Sequence, residues 1–373
     1  MTRPMRRTDS MANIWVVMAG LWLGGMANSA GAAQAPEWPK VPGAVFAMRD
    51  GNPVTPVVAL DAKGRDLMAF NCAARGRSLL GRNHELFCDG GSFVATDAGT
   101  WIGTQVAKSG MFTFEAMLTP AEVLLKTPGV VLAYGDDQRE DAALVQDKSG
   151  LSLRLGGVQL IPLFLLDTAK PVHIVIACGK NQWSAYCDGK PCGSGPLADG
   201  GPAWGTRQFV MGAAWSGAEP WHGRMEAVAV FPKSLSAADA AAQAAASKLL
   251  TSGRKPASSI RFTGTLVRQA KTSELREIRP YTRSLTAAEY KVEKVLAGEW
   301  KEPTITVLHW MIMDGKRLSI ADREVGAKVQ LNVDPLSEHP ELESSRRDEM
   351  TDGELIIDPY YCESEATTKV TPK

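Results

Sequence analysis

Two segments near the middle of the chain constrain its fold more than any others. Residues 182–190 read as a strand that runs into an Asp188-Gly189 pair, a dipeptide typical of a tight hairpin turn. About thirty residues further on, residues 221–231 open with Trp-His-Gly and continue as an apolar strand. Both patterns are typical of antiparallel sheets, so they predict a mainly β fold for this part of the chain.

More strand candidates occur before these two, separated by Gly, Asp, Asn and Pro. The clearest are residues 112–118, 130–134, 142–146, 151–155 and 172–177. Short strands at regular intervals, with turn residues between them, indicate a sandwich or a barrel. The chain up to about residue 250 is therefore predicted to be a two-sheet antiparallel sandwich.

The order of three motifs resembles that of LamG-like domains, a family of concanavalin A-like jelly rolls. The motifs are Tyr-Cys-Asp-Gly-Lys at residues 186–190, Trp-His-Gly at 221–223 and Leu-Ser-Ala-Ala-Asp at 235–239. The family usually has Glu where Asp239 stands, but Ser236 can still cap the helix that follows. The resemblance covers roughly residues 60–250 and implies a jelly roll of the kind found in secreted glycan- or protein-binding modules.

The length of 373 residues is long for one domain, so two hydrophobic cores are expected. We predict a signal peptide at residues 1–33, the LamG-like domain at 40–250, a linker at 251–259 and a smaller β domain at 260–365. The last segment contains strand candidates at residues 260–267, 290–296, 304–310 and 325–333. Few helical patterns interrupt them, which favours a small β-barrel or β-sandwich, similar to OB-like barrels in its strand order.

The N-terminus has the pattern of a secretory signal. Arginines among the first seven residues precede an apolar run at residues 14–26, and small residues follow at 27–33. The apolar run is shorter than the ~20 residues of a membrane-spanning helix. The sequence therefore predicts an exported protein, periplasmic, at the cell surface or secreted, with no transmembrane span once the signal is removed.

The six cysteines form an even set, and an oxidising compartment favours their pairing. Cys187 and Cys192 bracket a predicted four-residue hairpin loop, so we expect a disulfide between them. Cys72 with Cys88 is the next predicted pair. Thiolate binding of zinc is the alternative, but the sequence contains no Cys-x-x-Cys.

No catalytic residue is assigned from the sequence. The Glu-x-Asp-x-x-Glu strand that laminarinase-type enzymes of this fold carry is missing, and the strand at 112–118 offers only Glu115, which is expected to be solvated. No Gly-x-Ser-x-Gly elbow or His-Glu-x-x-His motif is found, and the five histidines are scattered. His339, between two glutamates, is assigned to a solvated loop.

Four aromatic residues are the candidate ligand-binding residues. Trp101, Trp204 and Trp215 lie in Gly-rich, loop-like surroundings, and Tyr134 precedes a polar turn. Flat aromatic rings stack on sugars and anchor interfaces. The alternative is that these rings close the ends of the sandwich core.

The turn after Tyr134 is the candidate metal site. Asp136 and Asp137 provide carboxylate oxygens of the kind that Ca²⁺ prefers, and calcium is the one cofactor that the pattern allows. Arg139 lies within the same turn and the spacing matches no defined calcium loop, so a solvated turn is the alternative.

The overall charge excludes one class of partner. With 41 basic and 41 acidic residues the chain carries no net charge, so no nucleic-acid partner is expected. The leading hypothesis is a non-catalytic module that binds a glycan or an extracytoplasmic protein through the sandwich loops. The alternatives are a glycan-active hydrolase or lyase, and a structural partner of a system that modifies surface polysaccharide.

Overall fold

The computed structural model describes residues 42–48, 57–121, 127–148, 150–167, 170–197, 204–350 and 359–363. The predicted signal peptide lies outside the described residues. Among the residues described, no helix has both the length and the hydropathy needed to cross a bilayer. Residues 36–373 group into one unit, which contains a jelly roll followed by a barrel.

The jelly roll is built from strands β1 to β17 and helices α1 and α2. In chain order these are β1 (Phe46–Met48), β2 (Val57–Leu60), β3 (Asp66–Phe70), β4 (Ala73–Arg75), β5 (Ser78–Leu80), β6 (Leu86–Asp89), β7 (Ser92–Ala95), α1 (Thr96–Ser109), β8 (Phe112–Pro120), β9 (Gly129–Gly135), β10 (Glu140–Asp147), β11 (Gly150–Leu155), β12 (Gln159–Phe164), β13 (Val172–Cys178), β14 (Gln182–Cys187), β15 (Lys190–Pro196), β16 (Gln208–Met211), β17 (His222–Phe231) and α2 (Ala237–Ser252). The five strands predicted before residue 180 are all observed.

Two antiparallel sheets stack face to face. The first has the order β15-β14-β13-β8-β17-β1-β2-β3, and the β5–β6 hairpin joins it through β17. The second has the order β12-β11-β10-β9-β16-β7-β4. Large side chains from both sheets, including Phe46, Phe114 and Phe209, fill the space between them. The structure thus confirms the predicted jelly-roll sandwich.

Helix α2 covers the outer face of the first sheet. Leu235, just before the helix, and Ala240 within it pack with Val175 and Ala229 of the sheet. At its start, the Ser236 hydroxyl accepts the backbone N–H of Asp239 at 3.2 Å, and the Asp239 carboxylate accepts the backbone N–H of Ser236 at 2.9 Å. This reciprocal cap confirms that Ser236 starts the helix and that Asp239 serves in place of the usual Glu.

Helix α1 was not predicted from the sequence, because its two glycines lower helix propensity. Both glycines allow close packing. A Cβ atom on Gly99 would lie 1.9 Å from the carbonyl oxygen of Arg207, and one on Gly103 would lie 2.1 Å from the Tyr134 hydroxyl. The helix therefore packs against the segment before β16 at a distance that only glycine permits.

The C-terminal part of the chain forms a closed five-stranded barrel. The described strands of this part are β18 (Ile260–Gln269), β19 (Ser284–Ala297), β20 (Thr304–Met313), β21 (Lys316–Arg317), β22 (Lys328–Pro335), β23 (Arg347–Asp348) and β24 (Tyr360–Cys362); the short β21 and β23 pair with β20 and β19 outside the ring. The ring runs β18-β19-β20-β24-β22 and returns to β18, with β20 and β24 parallel. A Greek-key ring of five strands is the arrangement of the OB fold.

The last predicted strand begins later than expected. Val329 and Leu331 are buried in β22 as the alternation requires, but Val325 is 65% exposed. Gly326 has a positive φ of 90°, so the chain turns there before it enters the barrel. The predicted boundary of the two domains, residues 251–259, stays a prediction; in the structure this stretch links the end of α2 to the start of β18.

The β5–β6 hairpin joins the jelly roll to the barrel. Leu79 of β5 and Phe87 of β6 belong to the same buried cluster as Leu285, Leu308 and Trp310 of the barrel. The hairpin tip adds an ion pair, with Arg82 2.8 Å from Glu338. These contacts hold the outer face of the first sheet against the barrel.

We predict that replacing Trp221 unfolds the jelly roll at lower denaturant concentration. Trp221 is 0% exposed and its indole N–H donates to the side-chain oxygen of Gln146 at 2.6 Å. Trp221→Ala should cost about 3–5 kcal/mol, because it leaves a cavity, and Trp221→Phe about 1–3 kcal/mol, because it leaves Gln146 unpaired. Urea titration followed by circular dichroism measures both, and equal losses in the two variants would contradict this account.

Candidate functional site

Two of the predicted binding aromatics, Tyr134 and Trp204, pack against each other beside the sandwich core. Tyr134 is 0% exposed and its hydroxyl donates to the carbonyl oxygen of Gly99 at 2.9 Å. The Trp204 ring packs between Tyr134 and Phe112, with centroid distances of 4.8 and 4.9 Å. Tyr134 therefore lies in the interior, where it fixes helix α1 against the second sheet.

The other two aromatics lie on opposite faces of the second sheet. Trp101, on α1, packs against the sandwich core. Trp215 packs on the outer face of the sheet against the cluster of Val94, Val130 and Val210. The structure does not bring all four aromatics together, and a ligand-binding role for Trp101, Trp204 and Trp215 stays a prediction.

Arginines surround the predicted calcium turn. One Asp136 oxygen accepts the backbone N–H groups of Gln138 and Arg139 at 3.0 Å, and the other pairs with Arg207. Burial opposes ionisation, but these hydrogen bonds outweigh it and lower the pKa of Asp136. Asp137 stays exposed. Among the described residues, no group of three or more His, Cys, Asp or Glu side chains is arranged for a metal ion.

The predicted disulfides are not formed in the structure, which corrects that expectation. The sulfur atoms of Cys187 and Cys192 face each other at 2.7 Å, beyond the ~2.05 Å of a covalent bond. Cys72 and Cys88 are also free thiols. Burial raises the pKa of Cys72 to about 12, so this thiol is protonated at neutral pH.

The turn between Cys187 and Cys192 also differs from the predicted four-residue loop. Only Asp188 and Gly189 separate β14 from β15, with positive φ angles of 48° and 76°. Two consecutive positive φ angles define a type I′ turn, the form that suits the twist of paired strands.

Glu115 is not solvated, which corrects a second expectation. It is 1% exposed, and its carboxylate lies 2.9 Å from the ring nitrogen Nε2 of His173 on the neighbouring strand. His173 is equally enclosed at 2%. This buried pair does not contact solvent, so neither side chain can reach a bound polymer.

A cleft of about 1030 Å³ lies between the first sheet and the barrel, and we call it the polar cleft. One wall comes from the hairpin tip, β6 and β17, the other from β18, β22 and the segment after β22. Its charged lining residues are Arg82, Glu85, Asp89, Arg224, Glu226, Arg254, Lys255, Arg261, Asp334 and Glu363. Junctions between domains are common places for ligand sites.

The register of β6 and β17 positions the first wall. His222 stands opposite Asp89 and Arg224 opposite Phe87. Because side chains two apart in a strand share a face, His222 and Arg224 both project from the outer face of the sheet. The Nδ1 atom of His222 lies 3.2 Å from the Asp89 carboxylate, and Arg224 stacks over the Phe87 ring at 4.7 Å.

Arg224 is the centre of an ionic network. It pairs with Glu85 at 2.6 Å and with Glu363, which follows the last barrel strand. Burial opposes its charge, but the two carboxylates outweigh burial and raise the pKa of Arg224. Burial also raises the pKa of Glu363. Arg224 thereby links the sheet to the end of the barrel.

A second ion pair lies in the same wall. Glu226 pairs with Arg254, which follows helix α2. Burial, together with the nearby Glu85 carboxylate, raises the pKa of Glu226. Glu226 and Glu363 are therefore the two carboxyl groups of the cleft whose pKa is raised.

The barrel wall is open to solvent. Arg261 of β18 stands opposite Asn332 of β22, and both side chains are exposed. His339 closes the cleft behind them. It is 3% exposed and lies between Glu341, at 2.7 Å, and Asp334, at 3.4 Å, so it is not in a solvated loop as the sequence predicted.

Sequence reasoning missed this cleft because its residues are far apart in the chain. Arg224 and Glu363 are separated by 139 positions. The only local signal is the alternation in β17, which places His222 and Arg224 on one face while Gly223 and Met225 face the core.

Comparisons with known proteins agree with the observed fold. Residues 95–241 match the Laminin_G_3 family model, described as the concanavalin A-like lectin/glucanases superfamily, which confirms the LamG resemblance. A search of curated proteins finds no match.

Similar solved structures include Trypanosoma rangeli sialidase, at 18% identity and a TM-score of 0.38 over 49% of this chain and 30% of that one. Domain 4 of AbnA, a GH43 extracellular arabinanase from Geobacillus stearothermophilus, has 13% identity and a TM-score of 0.38 over 47% and 89%. A pentraxin from Limulus polyphemus has 15% identity and a TM-score of 0.30 over 36% and 69%. The chain spans about a third of the sialidase.

We predict that the His339 ion pairs stabilise the protein until the pH rises past about 9. Burial disfavours the imidazolium, but the neighbouring carboxylates of Asp334 and Glu341 outweigh it and raise the pKa of His339 to about 9. A raised pKa in the folded state stabilises the fold fully below the unfolded value of ~6.5, and this contribution is lost as the pH passes the folded value.

The measurement is the free energy of unfolding of wild type and His339→Gln from pH 6 to pH 10. The wild-type advantage should be largest near pH 6 and shrink towards pH 10. A constant difference across this range would contradict the assigned ion pairs.

Proposed function

We propose that this protein is an exported, non-catalytic binding protein that recognises a saccharide in the polar cleft. The match of residues 95–241 to a superfamily named for lectins and glucanases supports a glycan as the ligand. The signal-like pattern of residues 1–33 supports export. The observation that carries the proposal is the chemical balance of the cleft lining.

The lining contains five basic side chains and five acidic ones, not counting histidines. The basic residues are Arg82, Arg224, Arg254, Lys255 and Arg261, and the acidic ones are Glu85, Asp89, Glu226, Asp334 and Glu363. His339 also lines the cleft and is charged at neutral pH, so the positive side chains exceed the negative ones by one. A lining so close to balance exerts little net attraction on ions. It still offers many hydrogen-bond donors and acceptors, which is what the hydroxyl groups of a neutral sugar require.

The ionic network also keeps the cleft in one shape before a ligand arrives. Arg224 connects the sheet to the barrel, and Arg82 connects the hairpin tip to Glu338. Preformed polar groups lower the entropic cost of binding. The polar cleft is a different place from the sandwich loops that the sequence indicated, and it contains none of the four aromatic candidates.

We predict that the exposed residues of the barrel wall determine affinity. The chain from residue 34 onward is tested on a panel of neutral oligosaccharides, and the best ligand is titrated against an Arg261→Ala/Asn332→Ala double variant. Loss of two or more hydrogen bonds should weaken binding about tenfold or more. The melting temperature should stay unchanged, because both side chains are exposed.

Lys328→Ala is the matched control, because Lys328 lies on the same strand, is exposed and does not line the cleft. Equal weakening by the control would contradict the assignment. If no oligosaccharide of the panel binds, a protein partner becomes the favoured ligand, including one that modifies surface polysaccharide.

A glycan-active enzyme is the second candidate, and one observation favours it. The Asp89–His222 pair and the protonation-prone Glu226 line the same cleft. General acid catalysis needs a carboxyl group with a raised pKa. If the chain released sugar from the panel, and Glu226→Gln abolished release while the enclosed Glu115→Gln retained it, the enzyme would replace the binding protein as the proposed function.

A further inference from the structure

A second cleft, of about 910 Å³, lies on the other side of the β5–β6 hairpin. We call it the Tyr281 cleft. Its barrel side consists of residues 280–283, before β19, and residues 340–346, after β22, with Trp310 between them. Its jelly-roll side comes from β3 to β7, including Asn71 and His84.

The Tyr281 cleft combines an aromatic surface with short polar side chains. Tyr281 is 54% exposed although it lines the cleft. Thr282, Ser344 and Ser345 lie around it. An exposed aromatic ring beside hydroxyl groups suits a sugar, whose ring face stacks on the aromatic while its hydroxyls form hydrogen bonds.

The charge of the Tyr281 cleft differs from that of the polar cleft. Its lining contains Arg283 and Arg346 but a single carboxylate, Glu341, which is already paired with His339 at 2.7 Å. Each arginine also has a carboxylate partner just outside the lining, Asp314 at 3.4 Å from Arg283 and Asp348 at 3.2 Å from Arg346. The lining itself still presents two guanidinium groups, each engaged on one side, whose remaining N–H groups can donate to an anionic ligand.

Arg346 is the best placed cation for such a group. Its side chain is 32% exposed. One terminal nitrogen donates to the Ser273 hydroxyl at 3.0 Å and lies 3.2 Å from the Asp348 carboxylate. Its Nε atom is buried without a hydrogen-bond partner among the described residues. The guanidinium is thus held in place with part of its hydrogen-bonding capacity unused.

We propose that the Tyr281 cleft binds a carboxylate-bearing saccharide, with the sugar ring on Tyr281 and the carboxylate at Arg346. Arginine is suited to this role because its planar donors match a carboxylate. This second site adds to the saccharide-binding function proposed for the polar cleft, and its ligand differs by its charge.

The test uses trigalacturonic acid and its fully methyl-esterified form, which keeps the rings but removes the negative charge. Calorimetric titration of the chain from residue 34 onward should show at least tenfold tighter binding of the acid. The affinity should fall as salt is raised from low to physiological concentration, because the interaction is charge-dependent. Equal affinity for acid and ester, or no binding of the acid, would overturn the proposal.

Variants locate the site. Tyr281→Ala should weaken binding of the acid about tenfold, and Tyr281→Phe should retain most of the affinity, because the ring remains. Val158→Ala is the control, since Val158 is 88% exposed and lines neither cleft. No effect of Tyr281→Ala would overturn the proposal, as would displacement of the acid by a peptide carboxylate at equal concentration.

The same titration distinguishes the two sites. The Arg261→Ala/Asn332→Ala variant should bind trigalacturonic acid as wild type does, because those residues line only the polar cleft. Loss of acid binding in that variant would place the anion in the polar cleft and overturn this inference. If neutral sugars do not bind, the titration with trigalacturonic acid still tests the Tyr281 cleft. The two proposals can therefore be contradicted independently.

Discussion

The burial of Leu79 and Phe87 in the barrel is the contact on which both clefts depend. These side chains belong to the jelly roll, yet they complete a hydrophobic cluster whose other members come from the barrel. The hairpin that carries them contributes residues to both the polar cleft and the Tyr281 cleft. Removing this apolar contact would release one wall from the other, and neither cleft would keep its shape.

Electrostatics then give each cleft its own chemistry. In the polar cleft the half-buried Arg224 lies between Glu85 and Glu363, and removing either carboxylate would leave one side of its charge unpaired. The balanced network offers hydrogen bonds rather than net charge. The Tyr281 cleft has two arginines, each engaged on one side by a carboxylate outside the lining, and a glutamate that His339 already engages. The two clefts thus differ in the charged groups that line them.

Local patterns predicted the sandwich because strand alternation, the Asp188-Gly189 turn and the Ser236 cap each depend on a few neighbouring residues. Helix α1 was not predicted because glycine lowers helix propensity. Gly99 and Gly103 are instead required by close packing against Arg207 and Tyr134. The polar cleft was not predicted for a similar reason. Arg224 contacts Glu363 only in the folded protein. No local sequence pattern predicts a contact between residues so far apart in the chain.

Amide hydrogen exchange of the chain from residue 34 onward, with and without a bound saccharide, tests most directly whether ligands bind between the jelly roll and the barrel. Our account predicts that a neutral sugar protects residues 82–89 and 222–226 together with residues 330–332, because these segments form the two walls of the polar cleft. Protection confined to the segments around Trp101, Trp204 and Trp215, with no change in the hairpin or the barrel, would contradict it.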